Sequence, residues 1–172
     1  MSIEPTEPKT ASASYSQFIK DQLDAQIARR KWLEERGLGI VTTSAALTGL
    51  LFGLVALVTD ADGFAIPTAS VLPLALAVGS FLVASLLGLL TNWPRWYPST
   101  TAKGLSDLTK SGIWDASESE GERSVARARA TITNRSRRIN TQKAWLVILA
   151  LFAQFFGVLL IAVVVWQVLA AL

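Results

Sequence analysis

Three runs without a single Asp, Glu, Lys or Arg constrain this chain more than anything else in it: residues 38–59, 70–91 and 144–172. They are 22, 22 and 29 residues long, and all 29 charged side chains fall outside them. A helix rising about 1.5 Å per residue needs roughly 20 residues to cross a hydrocarbon core about 30 Å thick. Each run is long enough, so the expected fold class is an all-α integral membrane protein with three transmembrane helices. The composition agrees, with 51% apolar and 17% charged residues, against about a quarter charged in ordinary soluble domains. As one helix the third run would be roughly 43 Å long, so it must tilt or leave its end in the outer interface. The first run begins only after 37 residues of mixed, charged sequence, whereas a cleavable signal has a short basic start and an apolar stretch of about 7–15 residues. Residues 38–59 therefore read as a retained membrane helix.

Orientation follows from the cations. Lys9, Lys20, Arg29, Arg30, Lys31 and Arg36 precede the first run; the other ten of the 16 Lys and Arg, from Arg95 to Lys143, lie between the second and third. The short connection carries Asp60 and Asp62 and nothing positive. The positive-inside rule then puts the N-terminus and the long loop in the cytoplasm, with the short loop and the C-terminus outside, as for a multi-pass membrane protein. Trp32, Trp93, Trp96, Tyr97 and Trp145 sit at the cytoplasmic ends of the runs and Trp166 near the far end, the levels that amphipathic rings prefer.

The expected organisation is a disordered cytoplasmic tail (1–13), a basic amphipathic helix (14–37), the first span (38–59), a short external loop (60–69), the second span (70–91), a cytoplasmic loop with a long basic helix (92–143) and the third span (144–172). Ser14 to Gln17 has capping-box spacing, and Tyr15, Ile19, Leu23 and Ile27 repeat at i+4 as one apolar stripe. Pro94 and Pro98 predict a turn after the second span, with a short helix at 105–110. Asp115 to Glu118 resembles a second capping box, followed by Val125, Ile132 and Ile139 at heptad spacing, with Ala128 and Arg135 between them. Two parallel basic helices entering the membrane from the cytoplasm would form a helical stalk, packed on each other or across a homo-oligomer interface.

Within the runs, Gly49 and Gly53 make a GxxxG, and Ala84/Gly88 and Ala153/Gly157 are small-xxx-small pairs that let backbones approach closely in lipid. Glycine and alanine are also simply common in membrane helices. Gln154 is the most polar group deep in a span and needs a partner on another helix, as packing glue or as a pore-lining group. Ser44 and Thr48 share a face of the first span. No selectivity filter, proton relay or intramembrane charge is present, which argues against a dedicated channel or pump.

Histidine and cysteine are both absent. That removes thiolate and imidazole catalysis, zinc fingers and disulfides, so no catalytic residue, metal site or cofactor is expected. What remains is cytoplasmic. Arg29, Trp32 or Leu33, and Arg36 lie on one helical face; Arg127, Thr131, Asn134 and Arg138 lie on another. Arginine forks hold phosphate and a tryptophan can stack on a base, so Arg29, Trp32, Arg36, Arg127, Asn134 and Arg138 are candidates for a small anionic ligand such as a nucleotide. The same side chains would equally pair with anionic lipid headgroups and enforce topology. A net charge of +3 and no nucleic-acid-binding signature argue against nucleic acid.

Gln22-Leu-Asp-Ala-Gln-Ile-Ala-Arg-Arg-Lys-Trp-Leu-Glu-Glu-Arg-Gly-Leu-Gly-Ile-Val-Thr-Thr-Ser44, running into Leu50-Leu-Phe-Gly-Leu54, resembles the opening of the Pycsar transmembrane effectors. Asn92-Trp-Pro94, Ala128-Arg-Ala-Thr-Ile-Thr-Asn134 and Asn140-Thr-Gln-Lys-Ala144 fit as well, and the likeness covers roughly residues 23–170. Its most specific part is Glu35-Arg36-Gly37-Leu38 followed by Val41-Thr-Thr-Ser44. The resemblance implies a role in bacterial defence against phage. A neighbouring pyrimidine cyclase would make cCMP or cUMP on infection, and the effector would sense it and impair the inner membrane, as in abortive infection. It carries no ligand-contact residues over to this chain. The other reading is a small non-enzymatic accessory subunit or scaffold whose stalk docks a cytoplasmic protein.

Overall fold

The computed structural model describes residues 11–59, 68–94 and 117–171. Most of the expected tail and short loop, the turn beyond Pro94 and the helix at 105–110 lie outside these residues. The described part is all helical: α1 (Ala11–Thr59), α2 (Thr68–Asn92) and α3 (Glu118–Ala171), of 49, 25 and 54 residues. Each contains a segment long and apolar enough to cross a membrane.

The helix starts differ from the sequence expectation. α1 already includes Ala11, Ser12 and Ala13, so Ser14 stands inside the helix rather than capping it. The Gln17 side chain donates forward to Asp21 Oδ1 at 2.8 Å. Alanine, the best helix former, carries the helix past the hydroxyl that was expected to start it. α3 begins at Glu118 with Ser117 as its cap. The Glu120 and Gly121 amides both donate to the Ser117 carbonyl at 3.0 Å, and the Ser117 hydroxyl donates to the Glu120 carboxylate at 3.1 Å. The expected box from Asp115 to Glu118 begins outside the described residues. α2 ends at Asn92, just before Pro94, whose ring disfavours helix in the residue ahead of it.

Hydroxyls inside the apolar segments are absorbed by their own helices. Thr42, Thr43, Thr48 and Ser80 donate to the carbonyls four residues back, at 2.8–3.1 Å. This bonding removes a donor that lipid could not satisfy.

The chain forms two compact units, Met1–Arg30 with Arg95–Asn140, and Lys31–Pro94 with Thr141–Leu172. In the second unit the buried positions follow a seven-residue rhythm on all three helices. α2 buries Ser70, Ala77, Ala84 and Thr91 at that interval, with Phe81 and Gly88 between. α1 buries Leu33 and Ile40, with Gly37, Ser44 and Leu51 alongside. α3 buries Lys143, Ala150, Gly157 and Val164, with Val147 alongside. A sustained heptad is the signature of left-handed knobs-into-holes packing. Leu33, Ile40, Ala84, Val147 and Ala150 form its core cluster.

Two glycines make the α1–α2 crossing close. A Cβ on Gly88 would lie 2.8 Å from the Gly37 carbonyl, and one on Gly37 would meet the Thr91 hydroxyl and lie 2.8 Å from the Gly88 carbonyl. Gly157 on α3 is filled by the Phe81 ring, 2.8 Å from where a Cβ would stand.

In the first unit the seam is polar. Asn140 Nδ2 donates to the Gln26 carbonyl at 2.9 Å and to its side-chain oxygen at 3.2 Å, with both residues buried. Ser136 is buried beside them in sequence, four residues earlier. The expected apolar stripes do not form this seam. Tyr15 and Ile27 are exposed while Ile19 and Leu23 are half-buried, because an i+4 stripe drifts about 40° per step around a helix. Val125 is exposed and Ile132 and Ile139 only half-buried; the buried line on α3 runs through Ser136 and Asn140.

Candidate functional site

The six candidate ligand residues fall in both units. Arg29, Arg127, Asn134 and Arg138 belong to the first and are exposed; Trp32 and Arg36 belong to the second and are exposed. Leu33, the alternative to Trp32 on the face of Arg29, is buried in the core cluster.

In the second unit Trp32 and Arg36 stand together. The Arg36 guanidinium lies 5.2 Å from the Trp32 ring centroid, a cation–π distance. Side chains on a helix lean toward its N-terminus, which is why residue 36 reaches back over residue 32. The pair opens a recess of about 580 Å³ between α1 and α3, with Glu35 at the same level and Ile40, Val147 and Leu151 as an apolar floor. Thr43 and Gln154 close its far end, where Gln154 Nε2 donates to Thr43 Oγ1 at 2.8 Å. Thr43 passes its own hydroxyl hydrogen to the Gly39 carbonyl at 2.9 Å. The polar group deep in the third apolar run thus bonds another helix of the same chain.

Beside this recess lies a polar knot that joins all three helices at Glu34. Its carboxylate takes the Lys143 ammonium at 2.6 Å, and its backbone carbonyl accepts from Asn92 Nδ2 at 3.2 Å. Lys143 is only 1% exposed and Glu34 27%. A buried cation is tolerable only when paired and hydrogen-bonded, and the knot provides both. In the sequence Lys143 reads as one more basic residue flanking the third apolar run, which hides the knot. The usable signal was its place seven residues ahead of Ala150, on the buried line.

In the first unit a second recess, about 430 Å³, is lined by Phe18, Gln22, Thr133, Asn134 and Arg137 among others. Of the six candidates only Asn134 reaches it. Arg29, Arg127 and Arg138 line neither recess. Nothing in the sequence marks Arg137, Gln22 and Phe18, since a shared helical face says nothing about which face meets a partner helix. Among the described residues no group of three or more His, Cys, Asp or Glu side chains comes together.

The packing candidates separate just as clearly. Ala84, Gly88 and Gly157 are buried and Ala153 half-buried, all within the chain. Beyond their own helix turn, Gly49 and Gly53 have no atom of the described residues within 4 Å of where a Cβ would stand, so their GxxxG packs against no other described helix. Gly39, Thr42, Ala46, Gly49, Gly53 and Ala56 form one exposed line of small residues along α1.

No protein-family model, no curated protein and no solved structure matches this chain.

Proposed function

We propose that this chain is an inner-membrane effector of a bacterial anti-phage (Pycsar) system that responds to a cyclic pyrimidine nucleotide, cCMP or cUMP, by impairing membrane integrity. The observation that carries the reading is the sequence likeness centred on Glu35-Arg36-Gly37-Leu38 and Val41-Thr-Thr-Ser44. The helices are compatible with it. α1 and α3 each carry basic residues and an apolar segment long enough to cross a membrane in one element. In this reading the basic halves are cytoplasmic, the nucleotide comes from an adjacent pyrimidine cyclase, and the protein acts as a homo-oligomer without enzymatic activity. Ligand neutralises repulsion among the arginines and reorders the basic helices. It must bind the leaky arrangement better than the quiet one, or it shifts nothing. Because Gly157 is filled by Phe81, the open Gly49/Gly53 line is the face assigned to a second copy.

The deciding experiment is binding of the detergent-purified protein to cCMP, cUMP, cAMP and cGMP. Selective binding of one cyclic pyrimidine supports the proposal; binding of none by folded protein refutes it. In cells that also express the cyclase, Gly49→Leu with Gly53→Leu should abolish growth arrest at unchanged expression, and unchanged arrest removes that face from the mechanism. Charge reversal at Arg127 and Arg138 should weaken the nucleotide response; a wild-type response returns both to lipid contact.

One observation favours the accessory-subunit reading. Tyr15 and Phe18, three residues apart and so on one face of α1, are 70% and 61% exposed outside the apolar runs, as a face that docks a cytoplasmic protein would be. A chromosomal neighbourhood without a cyclase gene would favour that reading.

A further inference from the structure

The recess between α1 and α3 has three layers of different chemistry, stacked along the helix direction. At the top, Arg36 and Glu35 place one cation and one anion on its rim, with the Trp32 indole beside them. Below, Ile40, Val147 and Leu151 form an apolar wall. At the bottom, the Thr43–Gln154 hydrogen bond closes the space. Along α1, Arg36 to Thr43 spans about 10 Å at 1.5 Å per residue.

A soluble anion uses only the first layer, and an apolar partner only the second. A phospholipid uses both. We infer that this recess seats one zwitterionic phospholipid of the phosphatidylethanolamine class, its phosphate on Arg36, its ammonium on Glu35 and the start of one acyl chain along Ile40, Val147 and Leu151. The inference rests on the spans lying in a bilayer, but not on any nucleotide response.

The electrostatics select this headgroup. Glu34 is already engaged by the buried Lys143, which leaves Arg36 and Glu35 as the rim charges. Lys31 stands 3.9 Å from Glu35, but both side chains are mostly exposed, at 80% and 63%. Such a pair is worth little, so the Glu35 carboxylate stays available to a better donor. Trp32 holds the Arg36 guanidinium on the rim at a cation–π distance of 5.2 Å, and a guanidinium so held can grip phosphate bidentately. A primary ammonium donates three hydrogen bonds, whereas a choline headgroup has none to give Glu35. A phosphatidylglycerol headgroup brings no cation to it. Tryptophan at the level of the headgroup is the usual interfacial arrangement.

The test is native mass spectrometry of the full-length protein in detergent, titrated with phosphatidylethanolamine, phosphatidylglycerol and phosphatidylcholine of identical chains. Carbonate-resistant membrane association is measured in parallel, so that loss of insertion is told apart from loss of the lipid site. One phosphatidylethanolamine should be retained in preference to the other two. Arg36→Gln should weaken retention about tenfold, the worth of a charge-assisted hydrogen bond. Glu35→Gln should erase the preference over phosphatidylcholine while keeping total lipid binding. Leu151→Trp should expel the lipid by filling the wall, and Arg29→Gln, outside the recess, should leave lipid retention as in the parent. All four side chains are exposed, so the fold tolerates these changes. Equal retention of the three lipids, a loss with Arg29→Gln matching that with Arg36→Gln, no effect of Leu151→Trp, or displacement by soluble phosphoethanolamine overturns the inference.

Discussion

Replacing Gly88 by alanine puts a methyl group into the close approach of the α1 and α2 backbones. The new Cβ would stand 2.8 Å from the Gly37 carbonyl oxygen and 3.0 Å from Val41 Cγ2. The carbonyl belongs to a helix and cannot swing away, so the two helices must separate by roughly half an ångström along their crossing. Overpacking of this kind costs about 1–3 kcal/mol. Alanine returns about 0.8–1 kcal/mol through its better helix propensity. The net expectation is a loss of about 1 kcal/mol. Gly37→Ala should cost more, about 2 kcal/mol, because its Cβ meets the Thr91 hydroxyl, the Gly88 carbonyl and Asn92 Nδ2 at once. Both changes open the same crossing, so the double variant should fall short of the sum by about 0.5 kcal/mol or more. Gly49→Ala and Gly53→Ala supply the opposite sign: with no neighbour within 4 Å, each should leave the monomer unchanged or stabilise it by about 0.5–1 kcal/mol. Equilibrium unfolding in mixed micelles, with a rising mole fraction of denaturing detergent and tryptophan fluorescence as the signal, measures all five variants against the parent. If Gly88→Ala matched or exceeded the parent while Gly53→Ala lost stability, the assignment of the close-packed and open faces of α1 would be wrong.

The Glu34–Lys143 pair should respond asymmetrically. Glu34→Gln leaves a cation that is 1% exposed without its carboxylate and should cost about 3 kcal/mol, whereas Lys143→Met leaves the 27% exposed Glu34 and should cost clearly less. Equal losses in the same unfolding assay would refute the burial argument. Asn140→Leu removes the hydrogen bonds to Gln26 together with the buried Asn140 Oδ1, which has no partner among the described residues. It also strands the buried Gln26 side-chain oxygen, so it should cost about 1–3 kcal/mol, and unchanged or raised stability would show that the polar seam is no net stabiliser. A double-mutant cycle with Thr43→Val and Gln154→Leu should give a coupling of about 0.6 kcal/mol, the usual worth of an interhelical hydrogen bond in lipid; zero coupling would mean the 2.8 Å contact does not hold the helices.

The site was less legible than the fold, and particular residues show why. Trp32 and Arg36 could be placed on one face from their spacing alone, since i and i+4 neighbours on a helix always meet. Arg127, Thr131, Asn134 and Arg138 could be grouped by the same rule, yet all four are exposed and only Asn134 lines a recess. A shared face is a local property; whether that face meets another helix is not. Gln154 announced itself because an amide in an apolar run must find a partner, but nothing local points to Thr43, 111 residues away. Lys143 and Asn140 gave a weaker signal still, being polar residues that lie on a buried line only because partners on α1 satisfy them.

What the sequence by itself determined is the count, type and rough extent of the elements. Charge-free runs of 22 to 29 residues, free of buried charge cost and long enough for lipid, dictate three apolar helices whatever surrounds them. The rotation of each helix about its own axis was decided by the tertiary structure alone. Apolar residues cover most of the surface of these runs, so hydrophobicity cannot say which stripe faces a neighbour. In the second unit that choice falls to shape and to scarce polar groups: Gly37 on Gly88, Gly157 under Phe81, and Glu34 tied to Asn92 and Lys143. Gly49 and Gly53 carry the most recognisable packing motif in the chain and are left on the open side, because close approach needs a partner surface of complementary shape and α2 presents its own glycine to Gly37.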